Sequence, residues 1–225
     1  MKKLSAFLTT IILVCASVFG LANSTSDQMW VNAVTESFGP RAGQRVQAWR
    51  TLIEQGQRDS TMEKLNAVND FFNSLYFVDD IYLWGKNDYW ATPLEFLGAN
   101  AGDCEDFTIA KYFSLLELGV PDDKLRLIYV KALKLNQFHM VLAYYPTPSS
   151  VPLILDNLDK SIKPASSRGD LLPIYSFNGK NLWLIKSSSS NGKVAGNASR
   201  LSLWNDLRSR AKKMEFNKPI INYDE

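Results

Sequence analysis

Around Gly119-Val120-Pro121 the chain changes its pattern. Upstream, apolar residues recur at helical spacing. Downstream they crowd into short runs rich in β-branched and aromatic residues, separated by turn signals. A chain that places helices first and turn-linked strands second is expected to be α+β, with helices packed on an antiparallel sheet. In the first half, "RAGQRVQAWRTLIEQG" carries Val46, Trp49, Leu52 and Ile53 on one face, and Gly56 ends it. "STMEKLNAVNDFFNSLYF" opens with Ser60/Thr61 and Glu63, a capping signal, and sets Met62, Leu65, Val68, Phe72 and Leu75 inward. A third helix is expected from Cys104 to Leu118, with Ile109, Phe113 and Leu116 inward, stopped by Gly119 and Pro121. Before it lies the aromatic-rich "IYLWGKNDYWATPLEFLGANAG", turning at Gly85-Lys86-Asn87; its Trp90 and Phe96 either pack in the core or support a surface. The strand candidates are "KLRLIYVKAL", "QFHMVLAYY", "VPLILDN" and "NLWLIK".

The two ends differ from this body. "MKKLSAFLTTIILVCASVFGLANS" has two lysines, an apolar run and the small residues Gly20 and Ala22, the pattern of a secretory signal peptide over 1–22. The alternative, an uncleaved anchor, is disfavoured by the short apolar run. A lipidated Cys15 is disfavoured by the bulk of Val14 before it. Asn23 to about Gln28 reads as a polar linker, and 23–186 as one domain. Over 187–225, "SSSSNGKVAGNAS" has linker composition, and "RLSLWNDLRSRAKKM" forms an amphipathic accessory helix with Leu201, Trp204, Leu207 and Ala211 inward.

Cleavage of the signal would change the chemistry left in the chain. Without Lys2 and Lys3 the 25 basic residues become 23, equal to the 23 acidic ones, which argues against a strong nucleic-acid or membrane-surface field. Cys15 also leaves, so Cys104 has no intrachain disulfide partner, and His139 is the chain's single histidine.

Cys104 sits in "GDCED" at the start of its helix. The free N–H groups and dipole of a helix start favour a thiolate and can receive an oxyanion. The carboxylates of Asp103, Glu105 and Asp106 oppose the thiolate. At 100° per residue Cys104 is expected to point away from these three, which fan over the other side. They can be ordinary first-turn acids or a hard-cation site of the kind Ca²⁺ takes. Such a cation would neutralise the charge that opposes the thiolate. A thiol nucleophile needs a base. His139 lies in a strand whose alternation places it with Val141 and Ala143, opposite Phe138, Met140 and Leu142. Asp156, at the end of the next strand, is the candidate to orient the imidazole, with Asp159 as rival.

A cysteine at a helix start, then histidine and aspartate on successive strands, resembles the papain/transglutaminase-like superfamily. More narrowly, "WATPLEFLGANAGDCEDFTIAKYFSLLELGV", "FHMVLAYY" and "LILDNL" resemble the bacterial transglutaminase-like cysteine proteinases, the LapG-type periplasmic proteases, over about residues 30–186. The resemblance implies a papain-like core and a Cys104, His139, Asp156 triad. It implies Ca²⁺ held by Asp103, Glu105 and Asp106. It further implies periplasmic cleavage of a large LapA-like adhesin near its N-terminal retention module, releasing the adhesin and dispersing a biofilm. Control by a LapD-type inner-membrane cyclic-di-GMP receptor is implied as well. Two other functions are compatible with the same residues: a transglutaminase or deamidase using the same triad, and a non-catalytic calcium-stabilised binding module with a buried cysteine.

Overall fold

The computed structural model describes residues 25–185 and 193–224, so the signal-peptide segment and the serine run at 187–190 lie outside the described residues. A helix over 25–38 (α1) begins inside the stretch expected to be a linker. It buries Val34 and stacks Trp30 on Trp49, at 5.9 Å between ring centroids. Helix α2 (Pro40–Gln55) has proline in its first turn and Gly56 at its end. Helix α3 (Thr61–Phe72) starts with a capping box between Ser60 and Glu63. It buries Leu65, Val68 and Phe72, but Met62, expected inward, is exposed in the first turn.

The aromatic-rich stretch holds more structure than its turn signals suggested. It contains a single-turn helix α4 (Asp80–Leu83), a turn at Gly85 with φ of 66°, and helix α5 (Pro93–Ala99). Thr92 and Glu95 form the capping box of α5. Trp90 and Phe96 are core residues. Strand β1 (Tyr76–Phe77) pairs in parallel with β2 (Ala101–Gly102), which leads directly into α6 (Cys104–Glu117). Helix α6 is central and buried on most sides. Ile109 is in the core, whereas Phe113 and Leu116 are only partly covered; Tyr112, Leu115 and Lys111 take the interior positions.

The sheet has seven strands in the order β6-β5-β4-β3-β7-β8-β9, all antiparallel. They are β3 (Leu125–Ala132), β4 (Gln137–Tyr144), β5 (Leu153–Leu155), β6 (Lys163–Pro164), β7 (Leu171–Phe177), β8 (Asn181–Leu184) and β9 (Lys193–Asn197). The expected strands are present. β7, unforeseen, takes the centre beside β3, with a register shift next to Pro173. β9 lies within the stretch read as linker and pairs with β8. The main core fills the space between helices and sheet, and a smaller cluster around Ile128, Val141 and Ile154 covers the other sheet face.

Helix α7 (Ser202–Lys213) packs on this body through Trp204, whose ring stacks on Phe113 at 5.5 Å. Leu207 is buried as expected, but Ala211 is exposed and Arg210 occupies the interior instead. Among the described residues no helix is long and apolar enough to cross a membrane.

Candidate active site

The parallel pairing of β1 with β2 fixes where the chain enters α6. Gly102 ends β2 at a point with no room for a side chain: a Cβ there would lie 2.4 Å from Asp106 Oδ2 and 2.8 Å from Phe96. Cys104 is the first residue of α6, half-buried, with its N–H among those that have no acceptor within the helix.

His139 comes from the sheet. Its strand β4 is held between β3, where Val130 is its partner, and β5. Asp156 directly follows β5, so the antiparallel pairing brings the two side chains together: His139 Nε2 lies 2.7 Å from Asp156 Oδ1, both buried. Asp159 instead pairs with Lys163 at 2.7 Å on the surface side of the loop. Asp156 is pinned from several directions. Its Oδ1 also accepts from Leu158 N (3.0 Å), and its Oδ2 accepts from Arg168 Nη2 (2.7 Å). Its backbone carbonyl accepts from Asn73 Nδ2 (2.9 Å) and Lys111 Nζ (3.1 Å), which tie the end of β5 to α3 and α6. Burial alone would raise the Asp156 carboxyl. The hydrogen bonds and charges of His139 and Arg168, with the Leu158 N–H, outweigh burial and hold it at about 2. With Nε2 engaged, Nδ1 is the ring nitrogen available to exchange a proton with a group in the cleft.

Cys104, Glu105 and His139 line one cleft of about 380 Å³, together with Tyr129, Phe138 and Leu158. The helical half thus contributes the sulfur and the sheet contributes the imidazole. Arg168, Lys111 and Asn73 were not foreseen from sequence. An arginine in a turn and a lysine inside a helix carry no signal of their buried partners until the topology is known.

The acids are arranged differently from the helical-wheel expectation. Cys104 does not point away from them: its Sγ lies 2.6 Å from Glu105 Oε2 and the thiol donates to it. A helical wheel places Cα positions, whereas a glutamate side chain is long enough to swing back to its neighbour. Carboxylate atoms of Asp103 belong to two close groups, one with Cys104 and Glu105 and one with Asp80 and Asp106. Glu105 and Asp106 do not share a group, and Asp80, delivered by α4, was missed. Asp106 is buried and accepts from Ala91 N (2.7 Å) and Asp103 N (3.2 Å). Asp80 accepts from Tyr89 N at 2.5 Å.

This crowding is unfavourable as it stands. Burial, then the charges of Glu105, Asp106 and Asp80, push Asp103 up to about 11. Burial, opposed by the Tyr89 N–H, leaves Asp80 at about 7. Burial and the neighbouring Glu105 and Asp103 also raise the Cys104 thiol. One oxygen each of Asp80 and Asp103 is buried with no hydrogen-bond partner. Unpaired hard oxygens converging from several carboxylates fit a Ca²⁺ ion, which takes six to eight such ligands.

The profile of the family described as bacterial transglutaminase-like cysteine proteinase BTLCP matches residues 43–178. No curated protein matches the chain. Among solved structures, Legionella pneumophila LapG (EGTA-treated) is 42% identical, with a TM-score of 0.73, over 82% of this chain and 96% of that one. The calcium-bound form of Legionella pneumophila LapG is 42% identical over 80% of this chain and 97% of that one, with a TM-score of 0.68. A papain-like α+β core, a profile covering more than half of the sequence and likeness to LapG over most of its length agree: the chain belongs to the bacterial transglutaminase-like cysteine proteinases.

Proposed function

We propose that this cysteine protease is a calcium-dependent endopeptidase with a catalytic triad of Cys104, His139 and Asp156. The observation that carries the reading is the buried His139–Asp156 pair, 2.7 Å apart, in a cleft that also holds Cys104 at a helix start. His139 Nδ1 takes the thiol proton as Sγ attacks the peptide carbonyl carbon. The oxyanion so formed accepts from the Cys104 backbone N–H at the start of α6. Collapse breaks the C–N bond, and the leaving amine takes its proton from His139. Water, losing a proton to His139, then attacks the thioester and frees the thiol. Asp156 holds the ring tautomer throughout and stabilises the imidazolium.

Asp80, Asp103, Glu105 and Asp106 are the residues that would hold Ca²⁺, and the unpaired oxygens of Asp80 and Asp103 support a cation there. Bound there, the ion supplies positive charge against the carboxylates that keep the thiol protonated. Likeness to calcium-bound LapG supports the choice of metal.

The reading extends to biology through the family. The chain is a secreted, periplasmic enzyme, its signal peptide spanning 1–22, its protease domain 23–186 and its accessory segment 187–225. Its substrate is the N-terminal region of a LapA-like adhesin, whose release disperses a biofilm. A LapD-type cyclic-di-GMP receptor sequesters it. The direct test incubates wild type and Cys104→Ala with a LapA-like adhesin N-terminus, with and without EGTA. A cut made by the calcium-loaded wild type alone is the expected result. Cleavage by Cys104→Ala would refute the nucleophile, and full activity in EGTA would refute the calcium requirement.

A further inference from the structure

Helix α6 carries more than the nucleophile. Cys104 is its first residue, and Thr108 and Lys111 follow four and seven positions later. At about 100° per residue the three stand in one stripe along the helix. Thr108 and Lys111 are polar and buried, and each reaches a backbone carbonyl of a segment that carries another member of the triad. Thr108 Oγ1 donates to the carbonyl of Met140, the residue after His139, at 2.9 Å. The Met140 N–H in turn bears on the Cys104 sulfur, so the residue after His139 is held to α6 at both its amide and its carbonyl. Lys111 Nζ donates to the carbonyl of Asp156 itself, at 3.1 Å.

Lys111 is the costlier of the two. It is 1% exposed, and a methionine would fill that space with no polar end to satisfy. Its partners are two neutral oxygens, the Asp156 carbonyl and Asn73 Oδ1 at 2.8 Å. The Asp156 carbonyl already accepts from Asn73 Nδ2 at 2.9 Å, so Lys111 is not needed to satisfy it; what the lysine adds is constraint. Burial pushes the amine down to about 7, with Asp156 and Asp70 opposing the shift and Lys160 adding to it. An amine that has lost its proton keeps two N–H groups, enough for both bonds.

We propose that Thr108 and Lys111 are positioning residues of the protease: they lock the strand bearing His139 and the strand end bearing Asp156 onto the helix bearing Cys104, so that imidazole and sulfur keep one relative placement through the reaction. The inference rests on the Cys104, His139, Asp156 triad and names what holds its two halves in register.

Three variants separate geometry from bulk. Thr108→Val removes the hydroxyl and keeps the shape, Thr108→Ser keeps the hydroxyl, and Lys111→Met removes the amine and keeps the length. Steady-state cleavage of a LapA-like adhesin N-terminus by the calcium-loaded proteins reads the reaction. Thr108→Val and Lys111→Met are expected to lower kcat about 10–100-fold with KM unchanged, the scale of moving reacting groups by up to about 1 Å. Thr108→Ser is expected to keep most of kcat. His139 is the chain's single histidine, so NMR of untagged protein with isotope-labelled histidine follows one imidazole and needs no substrate. Its signals should shift in Thr108→Val and Lys111→Met and stay in place in Thr108→Ser. Unchanged kcat in Thr108→Val and Lys111→Met, equal losses in Thr108→Val and Thr108→Ser, or lost activity with the His139 signals in place would each overturn the proposal. If Lys111→Met does not fold, the Thr108 pair decides. An adhesin fragment left uncut by wild type would strike the substrate reading alone, and the His139 signals would then decide the positioning.

Discussion

Asp156 divides its two oxygens between two tasks. Oδ1 meets His139 and the Leu158 N–H, while Oδ2 meets Arg168, which is itself held by Asp170 at 3.0 Å. Asp170 is part exposed, so Arg168 carries the charge balance of the buried pair toward the surface. Arg168→Met removes one partner of a buried ion pair, a change that costs about 3–5 kcal/mol. It also alters the acid response. Asp156 is depressed in the folded state, so its contribution is present above the unfolded carboxyl pKa and is lost as pH falls through about 2. At 1.36 kcal/mol per pKa unit that contribution is about 2 kcal/mol. Without Arg168 the folded carboxyl moves up toward its ordinary value, so the acid unfolding midpoint should rise. Circular dichroism during acid titration of Arg168→Met and wild type checks this, and coincident midpoints would show that Arg168 does not hold the carboxylate ionised. Asp156→Asn should keep most of the packing yet lower kcat about 10³–10⁴-fold, because an amide can favour the wrong imidazole tautomer. Single-turnover cleavage kinetics would read it.

At the scale of elements, the acidic cluster is positioned from behind by α7. Arg210 forms a buried ion pair with Glu95, donates to Tyr89 Oη (2.6 Å) and donates to the Trp90 carbonyl (2.6 Å). The N–H groups on either side of Trp90 are the ones bound to acids, Tyr89 N to Asp80 and Ala91 N to Asp106. Asn217 adds a hydrogen bond to Tyr89 Oη, and Ile220 N bonds the Leu83 carbonyl at the end of α4. The segment after residue 201 therefore fixes the loop that delivers Asp80. Arg210→Met is expected to cost about 3–5 kcal/mol through the unpaired Glu95. It should also weaken calcium binding about tenfold by freeing that loop, as read by calorimetric titration of calcium into metal-free protein. Unchanged affinity in the destabilised variant would confine Arg210 to a structural role. None of this was legible in the sequence, where Arg210 sits on the polar side of an amphipathic wheel. The elements that were legible had local signals: the Ser60–Glu63 cap, the Gly119 stop and the β-branched run of β3. The cap of α5 is equally local, in Thr92-Pro93-Leu94-Glu95, but the helix it starts is only seven residues long, too short for its period to stand out from the turn signals before it. β7 was hidden by Pro173, which normally argues against a central strand; the register shift beside it is how the sheet tolerates the ring. Cys104 and His139 stood out because cysteine and histidine are scarce in this chain, and Asp156 because it ends the strand after that of His139, but Asp80 could not be picked out, since nothing local separates it from Asp79.

For the molecule as a whole, the cleft is the junction of its two halves. Cys104 and the acids arrive on α4, β2 and α6, and His139 with Asp156 on the sheet. The junction holds carboxylates whose repulsion and burial oppose the folded state, and this is where a ligand can change global stability. An ion bound only to the folded chain stabilises it by RT ln(1 + [L]/Kd), about 2.7 kcal/mol at a hundred times Kd. For a chain of this size each kcal/mol moves Tm by about 2–4 °C. Calcium at that excess should therefore raise Tm over the EGTA-treated protein by about 5–10 °C. Magnesium should do much less, because it is smaller, demands near-octahedral geometry and gives up its waters reluctantly. Asp80→Asn, which keeps the shape but removes one charge and the orphaned carboxylate oxygen, should shrink the calcium-induced shift and raise Tm in EGTA by relieving repulsion. Differential scanning calorimetry of both proteins in EGTA, calcium and magnesium distinguishes these outcomes. Identical Tm values for wild type in EGTA and calcium would mean that the acidic junction is tolerated by protonation alone, with no ion required to hold the halves together.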